Sequence, residues 1–271
     1  MPIRTDLTLF GTELRRWRTR RSLSQLELAN RATVSQRHLS FLETGRSGPS
    51  PEMVEHLCIV LDVPLRARNA LLNAAGFADA YSEEPLDGPA LTQVREGLEA
   101  LVEAHDPFPA YVVDRCWNLL LANTAAACLT ELLLPADTAL ALGGNVLHLF
   151  LHPDGARRSV ANWPEAAAVL IERLSAECSA NPSDSALHEL YDEVTAYPGI
   201  AELPLGAEVR TGAAFITEVH VRTDDVELRL YTAISSLAAA SDITLEELRL
   251  ETLLPADPAT ADALRSLRGA A

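Results

Sequence analysis

Apolar residues in the first eighty positions recur at helical spacing. Phe10, Leu14 and Trp17 stand at i, i+4 and i+7, one stripe of a first helix, with Arg15, Arg16, Arg18, Arg20 and Arg21 clustered around it. The run Ser24-Gln25-Leu26-Glu27 is a capping box, which predicts the start of a second helix. A third is predicted from Ser35, with Val34 as a hydrophobic staple. Ser50-Pro51-Glu52 opens a fourth as a cap followed by Pro at the first helical position. Its inward residues are Val54, Leu57, Cys58 and Leu61. A fifth follows Pro64 and stops at Gly76, where a left-handed cap is expected.

Beyond position 80 the pattern changes. Residues 81–89 (YSEEPLDGP) are polar with two Pro and one Gly, the composition of a linker. Residues 91–105 read as a helix, and 109–123 as two short strands around a turn near Asp114 and Arg115. Helical patterns return at 123–134 and within 145–196. Alternation at 208–223 and 226–235 flanks Asp224-Asp225 and predicts a hairpin. The stretch 245–255 fits a strand or a helix equally. Helices lying between antiparallel strands place residues 90–271 in the α+β class, after an all-α domain at 1–80 and the linker at 81–89.

Charge sharpens this division. The 271 residues carry a formal charge of −16. Residues 1–80 hold eleven Arg against eight acids, net +3, while 81–271 hold eleven Arg against thirty, net −19. A basic piece fused to an acidic body suits nucleic-acid docking through the N-terminal part only, since the rest repels phosphate. There is no Lys, which together with abundant Ala points to a GC-rich bacterial genome. Apolar residues reach 48%, enough for packed cores. Cys58, Cys116, Cys128 and Cys178 are far apart with no CxxC pair, as expected of reduced thiols in a cytoplasm. No apolar run approaches the ~18–20 residues of a membrane span, and the first residues show no signal-peptide pattern.

Two helices joined by a short turn at 31–34 form a helix-turn-helix, and the motifs that carry it are SLSQLELA, then VSQRHLSFLETGRSGPS, then LDVP. Residues 10–77 resemble the lambda-repressor-like, or XRE-type, helix-turn-helix domain. Thr33 departs from the pattern, because the family usually has Gly in the turn. A β-branched residue is strained there if φ must be positive. Leu39 and Leu42 should face the core, leaving Gln36, Arg37, Ser40 and Phe41 outward. Gln and Arg can bond bidentately to adenine and guanine edges, about 1–3 kcal/mol of discrimination each. Gln25 and Ser35 sit at helix N-termini, and Arg46 and Ser47 in the following loop, where phosphate contacts set register without reading sequence. The resemblance implies that Arg18 and Glu43 form a structural ion pair bracing the first helix against the third. Such modules usually dimerise on palindromes, so a homodimer on double-stranded operator DNA is expected.

A second resemblance runs through the tail. HDPFPAYVVDRCWNLLLANTAA, NWPEAAAVLIERL and SDITLEELRLETLLPADPAT are similar to the C-terminal domain of MmyB-like transcription regulators. That resemblance implies a PAS-like ligand-binding domain, a curved antiparallel sheet with helices around an apolar cavity, and fatty acids as ligand class. Burial of each CH2 contributes ~0.8 kcal/mol, and the carboxylate end needs a donor or water. Arg115, Asn123, Asn162 and Trp163 are candidates for the polar end. Phe108, Trp117, Leu147, Phe150, Leu170 and Tyr231 are candidates for the apolar wall. Each is equally an ordinary core or capping residue type, and the pattern does not separate the two.

Other chemistries lack a constellation. His148 and His152 are four apart but have no adjacent Glu and no Cys cluster, so no metal site is expected. No GxSxG, GxxxxGK[ST] or GxGxxG occurs, and no acid/base pair is located, so neither catalytic residues nor a cofactor is expected. The leading reading is a ligand-responsive DNA-binding regulator. Two alternatives stand beside it: an autoregulated enzyme, and a scaffold that dimerises and recruits a partner without ligand.

Overall fold

The computed structural model describes residues 7–182, 184–206, 218–238 and 240–270. The described residues fall into two compact units, one drawn from Met1–Pro85 with Ala238–Glu246, the other from Leu86–Leu237 with Glu247–Ala271.

The first unit begins with five helices: α1 Leu7–Arg20, α2 Gln25–Arg31, α3 Gln36–Glu43, α4 Pro51–Val60 and α5 Leu65–Ala74. The predicted stripes form its core. Phe10, Leu14, Leu28, Leu39, Leu42, Val54, Leu57, Cys58 and Leu61 are buried in one cluster, with Trp17 beside them and Val34 and Phe77 against its edge. Ser24, Ser35 and Ser50 cap α2, α3 and α4, and the box at Ser24 and Glu27 closes in both directions. All five helices end alike. The N–H of a left-handed residue bonds two positions before the cap, and the next N–H bonds one position further back. The left-handed residues are Ser22, Thr33, Gly45, Asp62 and Gly76. Gly76 is the stop the sequence predicts, and Thr33, at φ 55°, adopts the conformation its usual Gly counterpart allows freely.

The polar run expected to act as a linker is fastened over its first half. Asn69 of α5 accepts from the N–H groups of Ala80 and Tyr81 and donates to Tyr81 O at 2.8 Å. Tyr81 Oη donates to Glu55 at 2.7 Å. Arg66 pairs with Glu83.

The second unit is α+β. Its helices are α6 Thr92–Glu103, α7 Thr124–Leu133, α8 Ala136–Ala141, α9 Val146–Leu151, α10 Trp163–Ala180 and α11 Ser185–Thr195, then α12 Ile243–Glu247, which starts in the first unit, and α13 Pro258–Ala270. The described strands are β1 Ala110–Val113, β2 Leu119–Ala122, β3 Val219–Arg222, β4 Glu227–Ser235 and β5 Arg249–Pro255. They make one open antiparallel sheet in the order β2-β1-β5-β4-β3. This is the PAS-like arrangement that the resemblance implies. The expected hairpin is β3–β4, turned at Asp224-Asp225; the part of it at 208–217 lies outside the described residues. The ambiguous stretch 245–255 is both, a short helix ending at Glu247 and a strand from Arg249.

Among the described residues of this unit, apolar side chains gather in a larger and a smaller cluster. The larger gathers Trp117, Leu147, Leu151, Trp163, Ala167, Ile171 and Leu174, with Phe150 and Leu170 against it. The smaller packs Leu129, Val221, Leu228, Leu230 and Leu264, with Phe108 beside it. Among the described residues no helix is long and apolar enough to cross a membrane, and no cluster of three His, Cys, Asp or Glu could hold a metal ion.

Candidate nucleic-acid interface and ligand core

The third helix is seated from beneath. Leu39 and Leu42 are fully buried, so the helical period turns Gln36 and Arg37 to solvent and leaves Ser40 and Phe41 half-buried at the rim. The Arg37 guanidinium lies 5.3 Å from the centre of the Phe41 ring. That contact holds the long side chain over the outer face, where a planar fork can meet a base edge. Ser35 Oγ accepts from His38 N at 3.1 Å, which fixes the helix start.

Below this face lies a buried charge pair. Arg18 donates through Nε to Glu43 Oε1 at 2.5 Å and through Nη2 to Oε2 at 3.0 Å, and its Nη1 reaches Leu23 O at 2.7 Å. Both side chains are less than a tenth exposed. The bidentate fork satisfies the buried charges and ties α1 to the last turn of α3. Gln25 joins it, donating Nε2 to Glu43 Oε2 at 2.8 Å. The residue expected at a phosphate is therefore also part of the brace. Arg46 is exposed in the loop after α3, and Ser47 is half-buried there.

Sequence reasoning missed Gly11. A Cβ at this helical position would stand 2.6 Å from the carbonyl oxygens of Leu42 and Glu43. Only Gly lets α1 approach the end of α3 this closely. A Gly inside an apolar helical stripe was the available signal.

In the second unit the structure gathers some expected ligand residues and disperses others. Trp117, Leu147, Phe150, Trp163 and Leu170 meet in the larger cluster. Phe108 belongs to the smaller one, under Arg265. Tyr231 lies in neither, and its hydroxyl donates to Glu218 at 3.0 Å. The expected polar ends are engaged by the protein itself. Asn123 accepts from Ala110 N and Ala126 N and donates to Val102 O and Phe108 O. Asn162 bridges Glu218 O and His220 N. Trp163 Nε1 donates to Phe150 O at 3.0 Å. Arg115 pairs with Asp184 and, at 3.5 Å, Glu247.

A polar network that the sequence reading did not find sits against Trp117. Arg173 and Arg249 lie 4.2 and 4.7 Å from the indole centre, and Trp117 Nε1 donates to Glu177 at 3.0 Å. Arg173 also reaches Glu251 at 2.8 Å, and Tyr111 donates to Glu251 at 3.0 Å. Burial, then the Glu251 charge, push the Tyr111 hydroxyl well above its ordinary pKa. Charged residues at core-facing positions, Arg173 and Glu177 one turn apart on a largely apolar helix and Glu251 within a strand, were the legible sign.

Comparison with known proteins matches both units. Residues 94–267 match the MmyB-like transcription regulator ligand binding domain, and residues 9–71 match a helix-turn-helix domain. The uncharacterized HTH-type transcriptional regulator RghRB of Bacillus subtilis (strain 168) is 32% identical over 97 residues, 35% of this chain and 63% of that protein. The chain thus spans less than two thirds of that relative's length.

Proposed function

The chain belongs to the MmyB-like transcription regulators, and on that premise we propose that it binds operator DNA in a sequence-specific way and answers to a small apolar ligand. The proposed division is DNA binding by residues 1–80 and ligand binding with dimerisation by 90–271, in the cytoplasm. Gln36, Arg37, Ser40 and Phe41 meet base edges; Gln25, Ser35, Arg46 and Ser47 meet phosphate. The observation that carries this reading is the exposed Gln36–Arg37 face on a helix locked by two buried Leu and the Arg18–Glu43 pair. A homodimer would present two such helices to half-sites about one helical turn apart.

The ligand, with fatty acids as the class, would lie against the cluster of Trp117, Leu147, Phe150, Trp163 and Leu170. To act as an effector it must bind the DNA-competent and incompetent arrangements unequally.

Two measurements test this. Duplex titrations across salt should give a log-affinity slope that Arg46→Ala lowers by about one, with all sequences weakened evenly. An unchanged slope removes Arg46 from the interface. Native mass spectrometry of protein from its own host should show a dimer carrying a small-molecule adduct. A bare dimer, or equal DNA affinity with and without the adduct, contradicts the sensor.

A further inference from the structure

The connection between β4 and β5 does not stay with their sheet. β4 ends at Ser235 and β5 begins at Arg249, and between them Ala238–Glu246 belong to the first unit. The chain therefore passes between the units three times, at 85/86, 237/238 and 246/247.

Directional bonds hold this strap. Asp242, 5% exposed, accepts through Oδ2 from Ser82 Oγ at 2.7 Å and Glu84 N at 3.1 Å. Its Oδ1 accepts from Leu245 N at 3.3 Å. Ile243, 3% exposed, donates its N–H to Ser82 O at 2.8 Å. Glu246 Oε2 accepts from Leu65 N at 2.7 Å, across 181 positions of sequence. Leu65 opens α5, whose cap residue Pro64 has no side-chain oxygen. The helix start is thus satisfied by a carboxylate from the far end of the chain, where the helix dipole favours one. Ser82 follows Tyr81, which Asn69 of α5 already holds. Both grips of the strap lead to α5, one at its first turn and one through the segment that follows it.

A buried carboxylate is costly unless donors meet it, so Asp242 fixes the strap in one register where apolar contact alone would let it slide. α5 packs on α1 and α4, and α1 packs on α3. We infer that the β4–β5 strap is a transmission element: displacement of the sheet strands pulls on the α5 N-terminus and, through α1, on the seat of α3. This rests on the reading of the second unit as the sensor and the first as the DNA binder. The physical content is a coupling between β5 and α5 that the strap's bonds carry.

Hydrogen exchange on the full-length protein, read by mass spectrometry, measures that coupling without DNA or ligand. Leu250→Ala loosens β5 next to the strap, and Leu250→Val replaces it if the Ala variant does not fold. In the otherwise unaltered chain, exchange in peptides covering α5 should rise by a factor on the order of five or more. In a chain carrying Asp242→Ala and Glu246→Ala, the same Leu250 substitution should leave α5 exchange at that chain's own baseline. An equal rise in both chains, or no rise in either, overturns the inference. Failure of the protein to bind duplex DNA would be seen separately and would leave this comparison intact.

Discussion

Arg18 shows how much a single side chain can decide when its charge is buried. It and Glu43 satisfy each other beneath α3, so Glu43→Ala leaves a guanidinium without its counter-ion. The expected loss is about 3–5 kcal/mol, read from the slowest amide exchange in α1 and α3. The exposed Arg37→Ala should stay within about 0.5 kcal/mol of the parent. Thr33 offers the opposite sign. It is exposed and left-handed at φ 55°, and relief of that strain, partly offset by the greater freedom of Gly in the unfolded chain, should make Thr33→Gly stabilising by about 1 kcal/mol. A destabilised Thr33→Gly in the same exchange measurement would show that the turn is not strained. The Arg18–Glu43 pair was legible because a motif resemblance pointed to it. Gly11 was not, because its reason is a carbonyl of another helix. Asn123 and Asn162 stood out as candidates for the polar end of a ligand, whereas the structure uses them as a cap and a bridge, since an amide suits a backbone and a ligand equally well.

Helix ends carry most of what the sequence says about the first unit. Ser24, Ser35, Ser50 and Gly76 each stand where cap chemistry predicts. Acids at helix starts extend this logic. Glu27 and Glu52 of the first unit and Asp257 of the second have pKa values lowered chiefly by hydrogen bonds from Ser24, Ser50 and Thr260. A lowered folded-state value means stability that is present above the unfolded value and lost as pH falls through the folded one. Below the ordinary glutamate value of about 4.3, the first unit should therefore weaken on acidification. Glu27→Gln should flatten that dependence, seen as a smaller change of α2 exchange protection between neutral and acid pH after correction for intrinsic rates. An unaltered pH profile would mean that the box at Ser24 contributes nothing as a charge. In the second unit β1 and β2 were readable as two short strands around a turn, and β3 and β4 from alternation. The helix-to-strand change at Glu247–Arg249 was not, because its cause is attachment of the preceding residues to distant chain.

At the scale of the whole chain, the charge division of net +3 against −19 foretold which part could face phosphate. It could not show that Ala238–Glu246 returns to the first unit. A contiguous reading of 90–271 is natural from sequence, because nothing in the local pattern marks the long-range hydrogen bonds of Asp242 and Glu246. The most direct test of the DNA-reading face is selection from a randomised duplex pool with the unaltered protein and with Arg37→Ala. Enrichment of a two-fold symmetric site is expected, its half-sites about 10 base pairs apart centre to centre. The variant should lose preference at one position of each half-site while keeping the rest. A pool that stays random, or a motif unchanged by Arg37→Ala, would contradict base reading by this helix.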